Sequence, residues 1–335
     1  MAYTWPKFGK QRFDFFQKNS VILLAVILLL ALLSFWVYAL SQQTRPFIVT
    51  GIHTASAPKI SILPKDLQNE APLSASQMNT IGAVSGSAFI DLHVLLIQKE
   101  LDSFGGWLPN DVFPLTRLLD NKVNFQLGAR EALMRSLLIL RENLSRQDRT
   151  TSALNVHVRN AYGRMSVNPD SWMFPRYEGE LNKSIDALRA YQADLQRGKA
   201  GFFPRADTLI RLNEQFSSLL GAETAALMAD DVTMFDSDDR FYHAKGVAYI
   251  LYELYQVIGF EFADTLEKND GNALLASIVA QLDAAYFEPD VVFNGDSESW
   301  RNNHLKQLAT RLYSVRQKIN SVNSVLLHTS SSSAG

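Results

Sequence analysis

The longest apolar run in the chain lies near its N-terminus. Residues 21–40 read VILLAVILLLALLSFWVYAL and contain no charged, amide, proline or glycine residue. A helix of this length crosses a hydrocarbon core about 30 Å thick, which predicts a transmembrane helix. A cleavable signal peptide is the alternative, but the run exceeds the roughly 7–15 apolar residues of such a peptide.

Charge predicts the orientation of this helix. Residues 1–40 carry four basic residues and one acid, and the basic residues all precede the apolar run. Because positive charge is retained on the cytoplasmic side, residues 1–20 are predicted to be cytoplasmic and residues 41–335 to be exported.

Beyond the apolar run the pattern changes twice. Residues 41–85 are rich in Ser, Thr, Pro, Ala and Gln, which predicts a linker. Residues 86–328 show helical periodicity, and residues 329–335 form a Ser-rich segment that we expect to be disordered. The predicted fold class is therefore all-α, with an N-terminal transmembrane helix, a linker and a multi-helix periplasmic domain. Helices are predicted at about 87–103, 127–146, 151–162, 177–197, from 205 onward, and at about 239–266, 272–286 and 297–327.

The last predicted helix has the clearest periodicity. Its apolar residues alternate three and four positions apart, as in a heptad seam: Leu305, Leu308, Leu312, Val315, Ile319, Val322 and Leu326. Its other faces are basic, which disfavours a symmetric parallel pair and favours an acidic partner helix. That partner is either the acidic helix 239–266 of the same chain or a helix of another protein.

Helix 239–266 also carries a tyrosine stripe, formed by Tyr242, Tyr249, Tyr252 and Tyr255. Such rings belong either to the core or to an exposed interaction surface.

Candidate chemistry is sparse. The chain has no cysteine, which excludes disulfides and thiolate metal sites. The six histidines show no metal-ligand spacing, and no nucleotide-binding or nucleophile motif is present. We predict no metal and no cofactor, and catalytic residues stay unknown. Beyond residue 40 there are 28 basic and 33 acidic residues, which argues against nucleic-acid binding.

Several loop motifs carry a family resemblance. They include Gly106–Asp111 (GWLPND), Asn124–Gly128 (NFQLG), Asn143–Arg146 (NLSR), Pro169–Met173 (PDSWM) and Phe202–Phe203 with Arg205–Asp207. These stretches resemble a proteobacterial family known as domain of unknown function 2333. The resemblance implies a Gram-negative inner-membrane protein with a periplasmic domain, and it supplies no catalytic residues.

The same motifs predict a polar cluster. Trp107 and Trp172 each follow a turn and are expected to cover helix ends. Asn110, Asp120, Asn124 and Asp170 are expected to cap helices, and Arg141 and Arg205 to pair with those carboxylates. A ligand site is the alternative for this cluster.

Two functions are compatible with these features of the sequence. The first is a non-enzymatic scaffold or structural subunit of an envelope assembly, of which a secretion apparatus is one example. Its partners would be the lipid bilayer and other envelope proteins, and a homo-oligomer is left open. The second is a periplasmic enzyme or binding protein acting on peptidoglycan or another envelope glycan, since a hydrolase needs only two carboxylates.

Overall fold

A computed structural model of the chain describes residues 22–35, 84–103, 105–111, 120–146, 154–229, 236–287 and 303–332. The chain divides into two compact units, Met1–Arg45 and Pro46–Gly335. The predicted cytoplasmic segment 1–20 and almost all of the predicted linker 41–85 lie outside the described residues.

In the first unit, residues 22–35 form an α-helix with exposed side chains. This helix covers part of the apolar run 21–40, and the rest of that run lies outside the described residues. Throughout the described part of the chain, we find no helix that combines the length and the apolar character needed to span a bilayer.

The described part of the second unit is all-α, as the sequence predicts. It contains α1 (Ser87–Asp102), α2 (Asp120–Ile139), α3 (Val156–Met165), α4 (Tyr177–Gln196), α5 (Ala206–Leu227), α6 (Ser237–Glu261), α7 (Ala263–Lys268), α8 (Asn272–Ala285) and α9 (His304–Ser332). One π-helical turn, Leu140–Leu144, continues the end of α2. Each predicted helical segment overlaps one of these helices, and the segment 239–266 is divided into α6 and α7 at Phe262.

Helix α1 is capped by a residue from the far end of α6. The α1 N-terminus has no side-chain cap of its own. Instead, the Glu261 carboxylate accepts hydrogen bonds from the backbone N–H groups of Gly86, Ala88 and Phe89 at 2.8, 3.1 and 3.3 Å. Burial raises the pKa of Glu261, although these three hydrogen bonds oppose the shift. The carboxylate thus satisfies backbone groups that a helix start otherwise leaves without partners.

Helices α2 and α6 form the most extensive helix pair and approach very closely. A Cβ atom added to Gly128 would lie 2.0 Å from the backbone oxygen of His243. One added to Gly246 would lie 2.1 Å from the backbone oxygen of Phe125. Glycine is therefore required on both helices, and this crossing fixes the face of α2 that meets His243.

The heptad seam of α9 lies in the core. All seven of its apolar residues are at most 1% exposed, and α9 packs mainly against α5 and α8. The acidic part of α6 and α7 was the expected partner, but it makes far fewer contacts with α9. The basic residues of α9 find other neighbours: the Arg311 guanidinium lies 4.8 Å from the centroid of the Phe287 ring, and Arg316 Nε donates to Ser217 Oγ at 3.4 Å. The chain's own helices cover the seam, so it is not an exposed surface for another protein.

Several helix boundaries differ from the prediction; for example, α3 begins at Val156 rather than near residue 151. Helix α2 begins at Asp120 rather than near residue 127, because polar side chains in its first turns are buried with hydrogen-bond partners. Lys122 Nζ donates to Ser103 Oγ at 2.7 Å, and Gln126 Nε2 donates to Glu100 Oε2 at 3.0 Å. Helix α9 continues to Ser332, so residues 329–332 are helical rather than part of a disordered tail.

Candidate functional site

The loop between α3 and α4 presents three consecutive large apolar side chains to solvent. Trp172 is 55% exposed, Met173 is 52% exposed and Phe174 is fully exposed. We call these three residues the apolar tip. Exposed apolar side chains that cluster in this way are typical of surfaces that bind a partner or a membrane.

A neighbouring segment clamps the loop that carries the apolar tip. Trp107 is buried, and its Nε1 donates to the Pro169 carbonyl at 2.9 Å. Asn110 Nδ2 donates to the Ser171 carbonyl at 3.0 Å and to Glu178 Oε2 at 2.7 Å. These contacts explain why Trp107 and Asn110 occur together in one motif: they hold a loop about sixty positions further along the chain.

Hydrogen bonds within the loop close it into a turn. Ser171 Oγ donates to the Pro175 carbonyl at 2.7 Å, and the Tyr177 N–H donates to the Ser171 carbonyl at 3.0 Å. Arg130 of α2 anchors the base, because its Nε donates to the Tyr177 hydroxyl at 2.6 Å. The Trp107 and Tyr177 rings also contact, with centroids 5.0 Å apart. The backbone of the tip is thus held while its side chains remain exposed.

We predicted that both tryptophans cover helix ends. The Trp107 ring contacts Tyr177, the first residue of α4. The prediction is wrong for Trp172, whose side chain is 55% exposed to solvent. The predicted capping roles of Asn110 and Asp170 are also wrong. Asn110 binds the loop, and Asp170 is an exposed residue of the turn whose N–H donates to Asn168 Oδ1 at 3.2 Å.

The remaining members of the predicted polar cluster lie elsewhere. Asp120 begins α2, where Oδ1 accepts from the Asn121 N–H at 3.0 Å. Asn124 caps no helix, since its Nδ2 donates to Asp239 Oδ1 of α6 at 2.5 Å. Burial and the charges of Asp238, Asp120 and Asp236 raise the pKa of Asp239 to about 6. This group joins the N-terminal ends of α2 and α6 and does not contact the apolar tip.

The two arginines do not pair with the predicted carboxylates. Arg141 contacts its neighbour Glu142, with 2.6 Å between the charged atoms, and its guanidinium lies 4.1 Å from the centroid of the Tyr162 ring. Arg205 Nε donates to Asp207 Oδ1 at 3.2 Å. The eight residues therefore form several local arrangements rather than one cluster.

The tyrosine stripe belongs to the core. Tyr249, Tyr252 and Tyr255 are at most 9% exposed, and Tyr242 is half-buried. The Tyr255 hydroxyl donates to Asn213 Oδ1 at 2.8 Å, and the Tyr249 hydroxyl accepts from Lys99 Nζ at 3.2 Å. Burial raises the pKa of Tyr255 well above its usual value. An exposed interaction surface along this stripe is therefore not present.

A second site was not visible in the sequence. Glu131 of α2, Glu223 of α5 and His243 of α6 meet beside a cavity of about 460 Å³. Burial lowers the pKa of His243, but the hydrogen bond and charge of Glu223 and the charge of Glu131 outweigh it, so the pKa is raised overall. The residues are separated by up to 112 positions, so their spacing gave no signal. Among the described residues, this group is the one whose atoms are placed to hold a metal ion.

Comparison with known protein families gives a match over most of the chain. A family model described as "Uncharacterized protein conserved in bacteria (DUF2333)" matches residues 40–234 and 224–327. No curated protein and no solved structure matches the chain. The matched residues include both the clamped loop and the Glu131, Glu223 and His243 group.

Proposed function

The chain belongs to the bacterial DUF2333 family, and from this premise we propose that it is a membrane-anchored scaffold or structural subunit of a bacterial envelope assembly. Residues 21–40 would be the anchor in the inner membrane, residues 1–20 would be cytoplasmic and the helical domain would be periplasmic. The family itself carries no stated activity, so the proposal depends on the surface of this chain.

The apolar tip is the observation that carries the proposal. Exposing Trp172, Met173 and Phe174 to water is unfavourable, because a large apolar side chain gains about 1.5–3 kcal/mol when it is buried. The clamp from Trp107 and Asn110 orders the loop backbone before binding, which lowers the conformational entropy that binding costs. An ordered loop with an exposed aromatic tip is therefore suited to inserting into a partner surface, as aromatic anchors at interfaces do.

The partner is tested by crosslinking at the tip in cells. A photoreactive amino acid replaces Phe174 in one version of the full-length protein and Tyr313, which is 51% exposed on α9, in a control version. After gentle detergent extraction, mass spectrometry identifies what is attached. We expect a stoichiometric set of envelope proteins crosslinked from position 174 and absent from position 313.

A double variant, Trp172→Ser with Phe174→Ser, provides the second arm of this experiment. Both residues are exposed, so the variant is expected to keep its fold while losing the co-purifying proteins. If only this chain is recovered from both crosslinking positions, the proposed scaffold function is wrong. The purified protein would then be tested for binding and hydrolysis of peptidoglycan, since Glu131 lines a cavity and Glu223 lies near it behind His243.

A further inference from the structure

Three potential metal ligands converge from three helices. His243 Nδ1 lies 3.1 Å from Glu223 Oε2, and His243 Nε2 lies 4.0 Å from Glu131 Oε2. One ligand atom from each residue can be chosen so that all three lie within 4.8 Å of one another. Two carboxylates and an imidazole at this separation form a compact set of oxygen and nitrogen donors.

The fold holds these residues in place. The close crossing of α2 and α6 at Gly128 brings the backbone of His243 against α2, one turn from Glu131. Glu223 is only 6% exposed, so its carboxylate is held inside the molecule. Arg240 of α6 links the helices further, because its NH1 donates to the Ala226 carbonyl of α5 at 2.9 Å.

Charge in this group favours a cation. A nearly buried carboxylate and a second carboxylate lie on either side of one imidazole ring. Arg135 neutralises part of this charge, since its NH2 lies 3.2 Å from Glu131 Oε1. The other carboxylate, Glu223, has His243 as its partner at 3.1 Å. A protonated imidazole carries one positive charge, whereas a divalent ion carries two. The divalent ion would therefore attract the two carboxylates more strongly than the imidazole does.

We propose that Glu131, Glu223 and His243 bind one divalent transition-metal ion of the Zn²⁺ class. Imidazole together with carboxylates suits such ions better than it suits Mg²⁺ or Ca²⁺, which prefer oxygen ligands alone. Ligand atoms about 2.1 Å from a tetrahedral ion lie about 3.4 Å apart. His243 Nδ1 and Glu223 Oε2 already have nearly this separation. Glu131 Oε2 lies nearest the other ring nitrogen, Nε2, so the half-exposed Glu131 side chain must rotate toward Nδ1 to complete the set.

The cavity gives the ion an open side. Glu131 and His243 both line it, together with Arg130, Arg135 and Tyr162. Three protein ligands leave a fourth position for water or another small molecule, and zinc sites that are not purely structural have this arrangement. The cavity would give that molecule access, so the site goes beyond the proposed scaffold role.

Metal titration of the full-length protein tests this site. Tag-free protein in mild detergent is stripped with a chelator and then titrated with Zn²⁺ by calorimetry. Bound metal is counted by elemental mass spectrometry. Co²⁺ replaces Zn²⁺ in a parallel sample, where visible absorption bands report the coordination geometry. We expect one ion per chain and Co²⁺ bands of a four- or five-coordinate site.

Substitutions by glutamine decide whether the ion is at these residues. Glu223→Gln and His243→Gln are each expected to weaken binding by at least the 10–100-fold that loss of a second-shell partner costs. His157→Gln is the matched control, because His157 is also partly exposed and contacts a carboxylate, Asp194, at 3.4 Å. Circular dichroism confirms folding, and Glu131→Gln replaces any variant that fails to fold. Absence of stoichiometric binding, or equal binding by the control and the ligand variants, would overturn the proposal.

Discussion

At the scale of single residues, His93 is an imidazole that the fold keeps neutral. It is completely buried in α1, and its Nδ1 lies 2.7 Å from the Phe89 carbonyl oxygen. A carbonyl only accepts, so Nδ1 carries the proton, and Nε2 accepts from Ser136 Oγ at 2.9 Å. Burial lowers the pKa of His93 to about 4, although the hydrogen bond to Phe89 opposes the shift.

This shift predicts a loss of stability in acid. The unfolded chain binds a proton on His93 near pH 6.5, while the folded chain does so only near pH 4. The folded state therefore loses about 3 kcal/mol relative to the unfolded state as the pH falls through this window. Urea unfolding at several pH values measures this effect. The free energy of unfolding should decrease steeply with falling pH for the wild type and less steeply for His93→Gln. Parallel curves for the two proteins would contradict the assignment.

Two tryptophans show why the sequence could not predict the whole candidate site. Trp107 and Trp172 both follow turns and have similar neighbours in the chain. One is covered by Tyr177 and the Pro169 carbonyl, and the other has no comparable cover. That difference depends on tertiary contacts between distant segments. The same is true of His243, whose carboxylate neighbours come from two other helices.

At the scale of helices, the crossing of α2 and α6 makes a sharp prediction. Gly128→Ala would place a Cβ atom against the backbone oxygen of His243, which cannot rotate away. We expect a destabilisation of about 1–3 kcal/mol, as for other overpacked sites, measured by the free energy of unfolding.

Glycines elsewhere in the helices provide the control. A Cβ atom at Gly163 of α3 or Gly179 of α4 meets nothing within 4 Å. Alanine has a higher helix propensity, so Gly163→Ala and Gly179→Ala should each stabilise the protein by about 0.5–1 kcal/mol. A similar effect of alanine at positions 128 and 163 would show that the close crossing is not required.

Helix boundaries reveal what periodicity detects and what it misses. The seam of α9 is apolar, so its position follows directly from the sequence. The first turns of α2 bury Lys122 and Gln126, whose polar groups are satisfied by Ser103, Glu100 and Gly106. A hydrophobic pattern cannot identify buried polar positions, because their stability comes from hydrogen bonds to distant residues.

At the scale of the whole molecule, α9 completes the core of the helical unit. The apolar seam and several polar contacts together fix the position of α9. Asn213 Nδ2 donates to Asn323 Oδ1 at 2.8 Å, and Ser217 Oγ donates to Asn320 Oδ1 at 2.9 Å. The C-terminal helix is therefore a structural part of the domain, and its seam is not free to bind a partner.

A pair of adjacent substitutions tests this role. Leu312 is fully buried and Tyr313 is 51% exposed, so these neighbours lie on different faces of α9. Leu312→Ala should cost about 2–5 kcal/mol of stability, while Tyr313→Ala should change it by less than about 0.5 kcal/mol. Thermal unfolding of the purified protein measures both. Equal effects would contradict the packing of α9 on α5 and α8.

The carboxylate cap on α1 has a consequence for the order in which the protein matures. Glu261 reaches Gly86 across 175 positions, so α1 acquires its cap only after most of the chain has been synthesised. Until then its leading N–H groups must bind water. The folding of α1 is therefore coupled to that of α6, and a chain cut short before residue 261 would lack this cap.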